Sequence, residues 1–375
     1  MATTVGPTSD IAVNDLYVYA VDAHALATGA LPYRDFGFEY PPLALLAIAL
    51  PHALGGSFET WFAIEMALFG LVCQELLRAL AGPRAAWLWA LAPLAVGAQI
   101  RTHFDLAAVA VLLGALLAFV RERPRAGFAL LAVGGLVKLF PLLLVPVAGA
   151  WLWGRGQTRQ LREGLAWCVG VLVVGTAPFW LLGGFGDMFR FHLDRPVQIE
   201  STPATALFAL GGSYVTGTAQ HPDGFKSNGL DGGHADLVLA LSTVALVAVV
   251  VMAIVLAARA ASARQLLLCC YLALLAFVGL GKVLSPQYMI WLAPFVVLAL
   301  VGRELPIAGW TITAIVLTQT WFPGRYFDLV DADSDIVTVV ALRNFCLIMA
   351  VAATATAIAQ TKMSGSSSPS PSPAR

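Results

Sequence analysis

From Leu237 to Ala258 the chain runs without a single charged side chain, and that run is one of several. Such a stretch limits the possible folds more than any motif does. A helix crossing a bilayer needs roughly 20 mainly apolar residues and satisfies its backbone polar groups internally. Comparable runs occupy 59–80, 84–101, 104–120, 163–183, 265–281, 288–302, 305–322 and 338–360. The expectation is an all-α, polytopic transmembrane helical bundle. Of 375 residues, 59% are hydrophobic and 12% charged, too few charges to cover a soluble body of this size. Acidic and basic residues balance, so nothing predicts nucleic-acid binding. Cys73, Cys168, Cys269, Cys270 and Cys346 all lie in apolar runs, with no disulfide framework and no metal-ligand spacing.

Two further stretches are not simple spans. Residues 41–54 are short and read as a helix lying on the membrane. Residues 126–153 are too long for one span and too short for two. Basic residues in short connections mark the cytoplasmic side. Arg78, Arg84, Arg121, Arg123, Arg125, Arg155, Arg159, Arg162, Arg259, Arg264, Arg303, Lys362 and Arg375 are assigned there. Segment 126–153 then enters and returns, with two shortened helices meeting at Lys138-Leu139-Phe140-Pro141. Most carboxylates fall on the opposite, extracytoplasmic side.

The organisation predicted is a first outer segment 1–58, a helical domain 59–360 with a long outer loop 184–236, and a disordered cytoplasmic tail 361–375. Asp15 to about Thr28 lacks Pro and Gly and predicts a helix with Asp15, Tyr19 and Asp22 on one face, stopped by Gly29. Pro41-Pro42 opens the next helix. In the loop 184–236, Arg190 to Ser201 is dense in polar groups. The remainder, with Gly211, Gly212, Gly217, Gly224, Gly229, Gly232 and Gly233, reads as flexible.

The chain has no Gly-rich nucleotide loop and no His/Cys metal constellation. Carboxylates and cations on one face of a bilayer-embedded body suit transfer from a lipid-phosphate donor. A carboxylate takes the proton of an acceptor hydroxyl, cations receive the phosphate, and an apolar groove holds the lipid.

The string Asp15…Pro32-Tyr33-Arg34-Asp35-Phe36…Glu39-Tyr40-Pro41-Pro42-Leu43 resembles the first outer loop of GT-C glycosyltransferases of family 87. Lys138-Leu139-Phe140-Pro141, Arg195-Pro196-Val197-Gln198-Ile199-Glu200-Ser201 and Lys282-Val283-Leu284-Ser285-Pro286-Gln287-Tyr288 are similar to strings of that family, in the same order. The family includes polyprenol-phosphate-mannose-dependent α-mannosyltransferases. The resemblance implies a GT-C bundle of the cytoplasmic membrane with an extracytoplasmic site. The partners it implies are a polyprenyl-phosphate sugar as donor, a glycolipid or glycan as acceptor, and membrane lipid. It makes Asp15 the catalytic base, with Asp10 and Asp22 as alternatives. The family pattern places a membrane helix ahead of this aspartate. Residues 1–14 are too few to form one, so a further helix upstream is expected.

Lys138, Arg195, Lys282 and His192 are the expected partners of the donor phosphate. Asp22, Tyr33, Asp35, Glu39, Tyr40, Glu200, Gln287 and Tyr288 are expected to hold sugar or acceptor. Each has a plainer reading. Asp15 is a helix cap, Arg34 clasps Asp35 or Glu39, Lys138 snorkels to the interface, and Arg195 and Lys282 pair with Asp194 or lipid. Arg101, His103 and Asp105 face the cavity or cap a turn. Asp328, Asp331, Asp333 and Asp335 form a solvated acidic loop rather than a cation site. No metal ligand is assigned, no resident cofactor is certain, and a divalent-metal requirement stays open. Trp87, Trp89, Trp151, Trp153 and Trp321 read as interface anchors. A secondary transporter and a non-catalytic scaffold are the rival functions. The transporter predicts paired halves with mid-membrane ionisable groups, which the sequence lacks.

Overall fold

A computed structural model describes residues 13–216 and 228–365. Asp10, Gly217, Gly224 and Arg375, with the rest of the tail from 366, lie outside the described residues. The protein is a polytopic all-α membrane protein. Helices α1 (Leu16–Ala27) and α2 (Ala44–Ala53) precede the first long span, α3 (Phe58–Ala81). Gly29 follows α1 at φ +91°, a left-handed conformation that glycine adopts without Cβ strain. Ser57 caps α3 by accepting from the Thr60 N–H.

Residues 84–101, expected as one span, break into α4 (Pro83–Trp89), α5 (Ala92–Val96) and α6 (Gln99–Thr102). Pro93 opens α5, and Gly97 at φ +79° ends it. Helices α7 (Asp105–Val120) and α8 (Pro124–Val137) follow. At Lys138 the backbone turns extended and a 3-10 turn over Phe140–Leu143 leads into α9 (Leu144–Gly154), which is the break read from the sequence. Pro141 cannot continue an α-helical ladder through this point.

Next come α10 (Thr158–Leu182), α11 (Gly186–Asp194) and α12 (Thr202–Leu210). Strands β1 (Val197–Gln198), β2 (Ser213–Thr216) and β3 (Gly229–Gly232) form an antiparallel sheet in the order β1-β3-β2. Leu230 faces both Val197 and Val215. This sheet corrects the expectation that the Gly-rich part of the loop is merely flexible. The chain ends with α13 (Ala235–Ala258), α14 (Ala263–Leu280), α15 (Met289–Gly302), α16 (Leu305–Trp321), α17 (Tyr326–Val330) and α18 (Ser334–Gly365). Helix α18 continues past 360 into the segment expected as a tail. Among the described residues, five helices are long and apolar enough to cross a membrane, namely α3, α10, α13, α14 and α18. Lipid is the natural neighbour of α10 and α13, whose Val174, Leu181 and Val244 are exposed.

The basic connections meet at one end of the bundle. Arg125 pairs with Glu163 at 2.7 Å, Arg155 approaches Glu122 at 3.8 Å and donates to the Ala261 carbonyl, and Arg264 pairs with Glu304. Packing forms two hydrophobic clusters. The larger joins α1–α3, α7–α9 and α14–α15; the smaller joins β1, β3 and α12 to Trp321, Phe322, Tyr326 and the start of α18. Trp89, Trp151 and Trp321 are buried, so only Trp87 and Trp153 keep the exposure of interface anchors.

Candidate active site

A cavity of about 630 Å³ opens at the end opposite the arginine turns, with walls from both clusters. Asp15, Glu39, Tyr40, Lys138, His192, Arg195, Glu200, Lys282, Gln287 and Tyr288 line it. The structure thus brings together most residues expected from four separate strings.

Asp15 occupies the N-cap position of α1 but makes no side-chain cap bond. Its Oδ2 instead accepts from the Tyr19 hydroxyl at 3.3 Å and lies 3.5 Å from His103 Nε2. Glu39 accepts from Arg195 Nη2 at 3.3 Å. The Arg195 guanidinium stacks over Phe191 at 4.7 Å, and its Nε is buried with no partner. Lys282 Nζ donates to the carbonyls of Leu193 and Arg195 at 2.6 and 2.8 Å, while its own carbonyl accepts from Gln198 N–H. An ammonium has three N–H donors, so one remains for the cavity. Burial lowers the pKa of Lys282, against the opposing pull of Asp194.

Lys138 lines the cavity, yet its ammonium is spoken for. It bonds both oxygens of the fully buried Asp105 at 2.8 and 2.7 Å. Trp291 Nε1 donates to the same carboxylate, and Lys138 Nζ sits 4.9 Å from the Phe104 ring centroid. Trp291 is stacked between Tyr288 and Phe140, at 3.9 and 4.0 Å.

His192 lines the cavity beside Arg195 and is held by the first outer loop. Its Nε2 is 3.1 Å from the Glu39 carbonyl, which only accepts, so Nε2 carries the proton. Burial, aided by the Arg195 charge, lowers its pKa to about 4. The imidazole is then neutral at pH 7.

Glu200 is buried, with Oε2 unpartnered, and burial raises its pKa to about 7. Its carbonyl accepts from Arg343 and Asn344, and Ser201 caps α12, which together fix the loop. Gln198 donates to Ser285 Oγ, leaving its own Oε1 buried and unpartnered.

Three expected sugar or acceptor residues do not reach the cavity lining. Tyr33, at φ +68°, donates its hydroxyl to the Tyr40 carbonyl at 2.6 Å and packs on Phe38, Phe179 and Phe185. Asp35 accepts two bonds from Arg34 and one from Leu31 N–H, and Arg34 holds its carboxyl below the usual range. Asp22 is buried on α1. Tyr33 and Asp35 build the loop rather than the site.

His103, Asn14, Gln198, Ser285, Trp291 and Tyr326 also line the cavity; Gln198 and Ser285 lie in the family-like strings and His103 stands out in the sequence, whereas Asn14, Trp291 and Tyr326 carry no sequence signal. A histidine and an aspartate opening an apolar helix are conspicuous at membrane depth. An apolar wall completes the cavity: Leu139 and Leu143 at the break, Leu246 on α13, and Phe277 and Leu280 on α14. Among the described residues no group of three His, Cys, Asp or Glu could hold a metal ion. Asp328 pairs with Arg325, and Asp333 caps α18 through the N–H groups of Asp335 and Ile336.

Residues 38–286 match the family model described as Glycosyltransferase family 87. No curated protein matches the sequence. Among solved structures, the chain is similar to ArnT from Cupriavidus metallidurans in the apo state, at 17% identity and a TM-score of 0.48. That similarity covers 95% of this chain and 74% of that one.

Proposed function

Because the chain belongs to glycosyltransferase family 87, we propose that it transfers a hexose, mannose by family precedent, from a polyprenyl-phosphate donor to an envelope glycolipid or glycan. The observation that carries this reading is the cavity itself. One space combines an uncapped carboxylate, two cations on one seam, and an apolar wall contributed by membrane helices. A lipid-linked sugar phosphate has the same three parts.

Asp15 takes the acceptor proton as the acceptor oxygen attacks the anomeric carbon. The phosphate leaves towards Lys282 and the unpartnered Nε of Arg195, whose charges offset the one that develops on it. A phosphate leaves without an acid, so one carboxylate suffices. The aromatic stack of Tyr288, Trp291 and Phe140 gives the sugar or first isoprene a flat wall. Glu39, Glu200, Gln287 and Tyr40 are the hydroxyl partners. His192 fixes the Glu39 backbone. Lys138, neutralised by Asp105, shapes the wall more than it charges it. The arginine-rich end is assigned to the cytoplasm, which puts the cavity on the outer face of the cytoplasmic membrane.

Membranes carrying the protein, given labelled polyprenyl-phosphate mannose, should yield a labelled glycolipid or glycan. Asp15→Asn should lower that rate by about 10²-fold or more at unchanged protein level. Full transfer by Asp15→Asn removes Asp15 from the base role. Absence of any labelled product with this donor refutes the donor assignment.

A further inference from the structure

Asp15 has a neighbour that the displacement above does not use. His103 closes α6 as its C-cap residue with an extended backbone, 3% exposed, and lines the cavity beside Asp15. Its Nε2 is 3.5 Å from Asp15 Oδ2, and its Nδ1 is 3.0 Å from Thr102 Oγ1. Thr102 Oγ1 also reaches the Ala98 carbonyl at 3.3 Å. The threonine hydroxyl has one proton and two places to send it.

These two choices define two states of one chain. When the Thr102 hydroxyl donates to Nδ1, the imidazole proton is on Nε2 and points at the Asp15 carboxylate. When the hydroxyl turns to the Ala98 carbonyl, its lone pair accepts from an Nδ1–H, and Nε2 is free to take a proton. An imidazolium is satisfied in the second state, with Nδ1–H on Thr102 and Nε2–H on Asp15. The carboxylate that has just received a proton therefore faces a base whose far side is already wired to hold one. Two further carboxylates act at this corner, and each has a cation partner: Asp105 pairs with Lys138 and Glu39 with Arg195. The Tyr19 hydroxyl donates to the same Asp15 oxygen.

We propose that His103 is the positioning residue of Asp15 and receives the proton that Asp15 removes from the acceptor hydroxyl. This rests on Asp15 being the base. The acceptor O–H breaks, its oxygen forms the bond to the anomeric carbon, and the bond from that carbon to the phosphate oxygen breaks. The proton passes from Asp15 Oδ2 to His103 Nε2, and the carboxylate is restored. On product release the imidazolium returns its proton to cavity water. A separation of 3.5 Å is long for direct transfer, and catalytic contacts of this kind shorten when substrate fills the site.

Two substitutions and a split of kinetic constants test it. His103→Gln keeps an N–H donor in reach of Asp15 but cannot accept a proton; His103→Ala removes both functions. With labelled polyprenyl-phosphate mannose, both variants should lose about 10–100-fold in kcat with the donor KM within twofold of wild type. In an Asp15→Asn background, His103→Gln should cause no further loss, because the two act on one proton. Full kcat in His103→Gln overturns the proposal, since a donor alone then suffices. A rise in donor KM matching the fall in kcat also overturns it, because the residue then only shapes the cavity. If His103→Gln is fully active while Asp15→Asn is dead, only this inference falls. If Asp15→Asn is fully active, the base assignment falls first.

Discussion

Removing Asp105 isolates a lysine among the aromatic rings of the cavity wall. Asp105 is fully buried, and the Lys138 side chain is 11% exposed, so solvent and salt screen their pair little. Two ammonium–carboxylate bonds and one indole–carboxylate bond are lost in Asp105→Ala. What remains around the ammonium is aromatic: Phe104 at 4.9 Å, Trp291 at 5.7 Å and Tyr40 at 5.9 Å. Each ring face recovers about 0.5–2 kcal/mol, less than a carboxylate does. Breaking one side of a buried pair costs about 3–5 kcal/mol. In a chain of this length that lowers an unfolding midpoint by about 4–6 °C. The double variant Asp105→Leu/Lys138→Met removes both charges and should recover most of the loss, short by about 1–3 kcal/mol for the Trp291 N–H left without an acceptor. Thermal unfolding in a single detergent, followed by tryptophan emission, measures all three proteins. If the double variant melts as low as Asp105→Ala, an unpaired buried charge is not the cause and the argument fails.

Two further outcomes follow from the geometry. A Cβ on Gly154 would lie 1.6 Å from the Ala258 carbonyl oxygen, so Gly154→Ala forces α9 from α13 and should cost about 1–3 kcal/mol in the same melt, whereas Gly156→Ala, with no atom near, should show only its backbone strain. Glu200 has a folded pKa of about 7 against an ordinary 4.5. The folded state binds the extra proton between those values, so stability should fall as pH rises from about 4.5 to 7, by up to about 3 kcal/mol, and Glu200→Gln should lack that slope. His192, with its lowered pKa, works in the opposite direction below about 6.5, so the wild-type-minus-variant difference is the quantity to plot. A wild-type-minus-variant difference that stays flat from pH 4.5 to 7 refutes the buried-acid reading.

The sequence made the membrane class legible because apolar runs leave few alternatives, and the helix over Leu16–Ala27 because nothing in it breaks a helix. The break at Lys138 was visible in a cation followed by a proline at membrane depth. Arg195 and Lys282 stood out as cations among polar loop strings, although the seam joining them is a backbone contact that no side-chain pattern records. The three-part interruption of 84–101 was hidden, since Ala, Leu and Trp read equally well in one long helix or three short ones. The sheet was hidden by glycine, which marks flexibility and tight pairing alike. Tyr33 and Asp35 were misplaced for a different reason. A dense polar loop advertises chemistry, but part of that polarity holds the loop itself, and only the fold separates the two uses.

The bonds from Lys282 to the carbonyls at 193 and 195 rivet the rim of the chamber to the head of a span, and Ser242 donating to the Leu280 carbonyl ties α13 to α14, whereas α9 meets α13 on the greasy side through apolar side chains touching. In hydrocarbon such touching has no water-driven force behind it. The chamber therefore has one hinge-free jamb and one yielding one, and a guest with a long tail should slip in sideways from the lipid between α9 and α13, head first, without the riveted jamb moving.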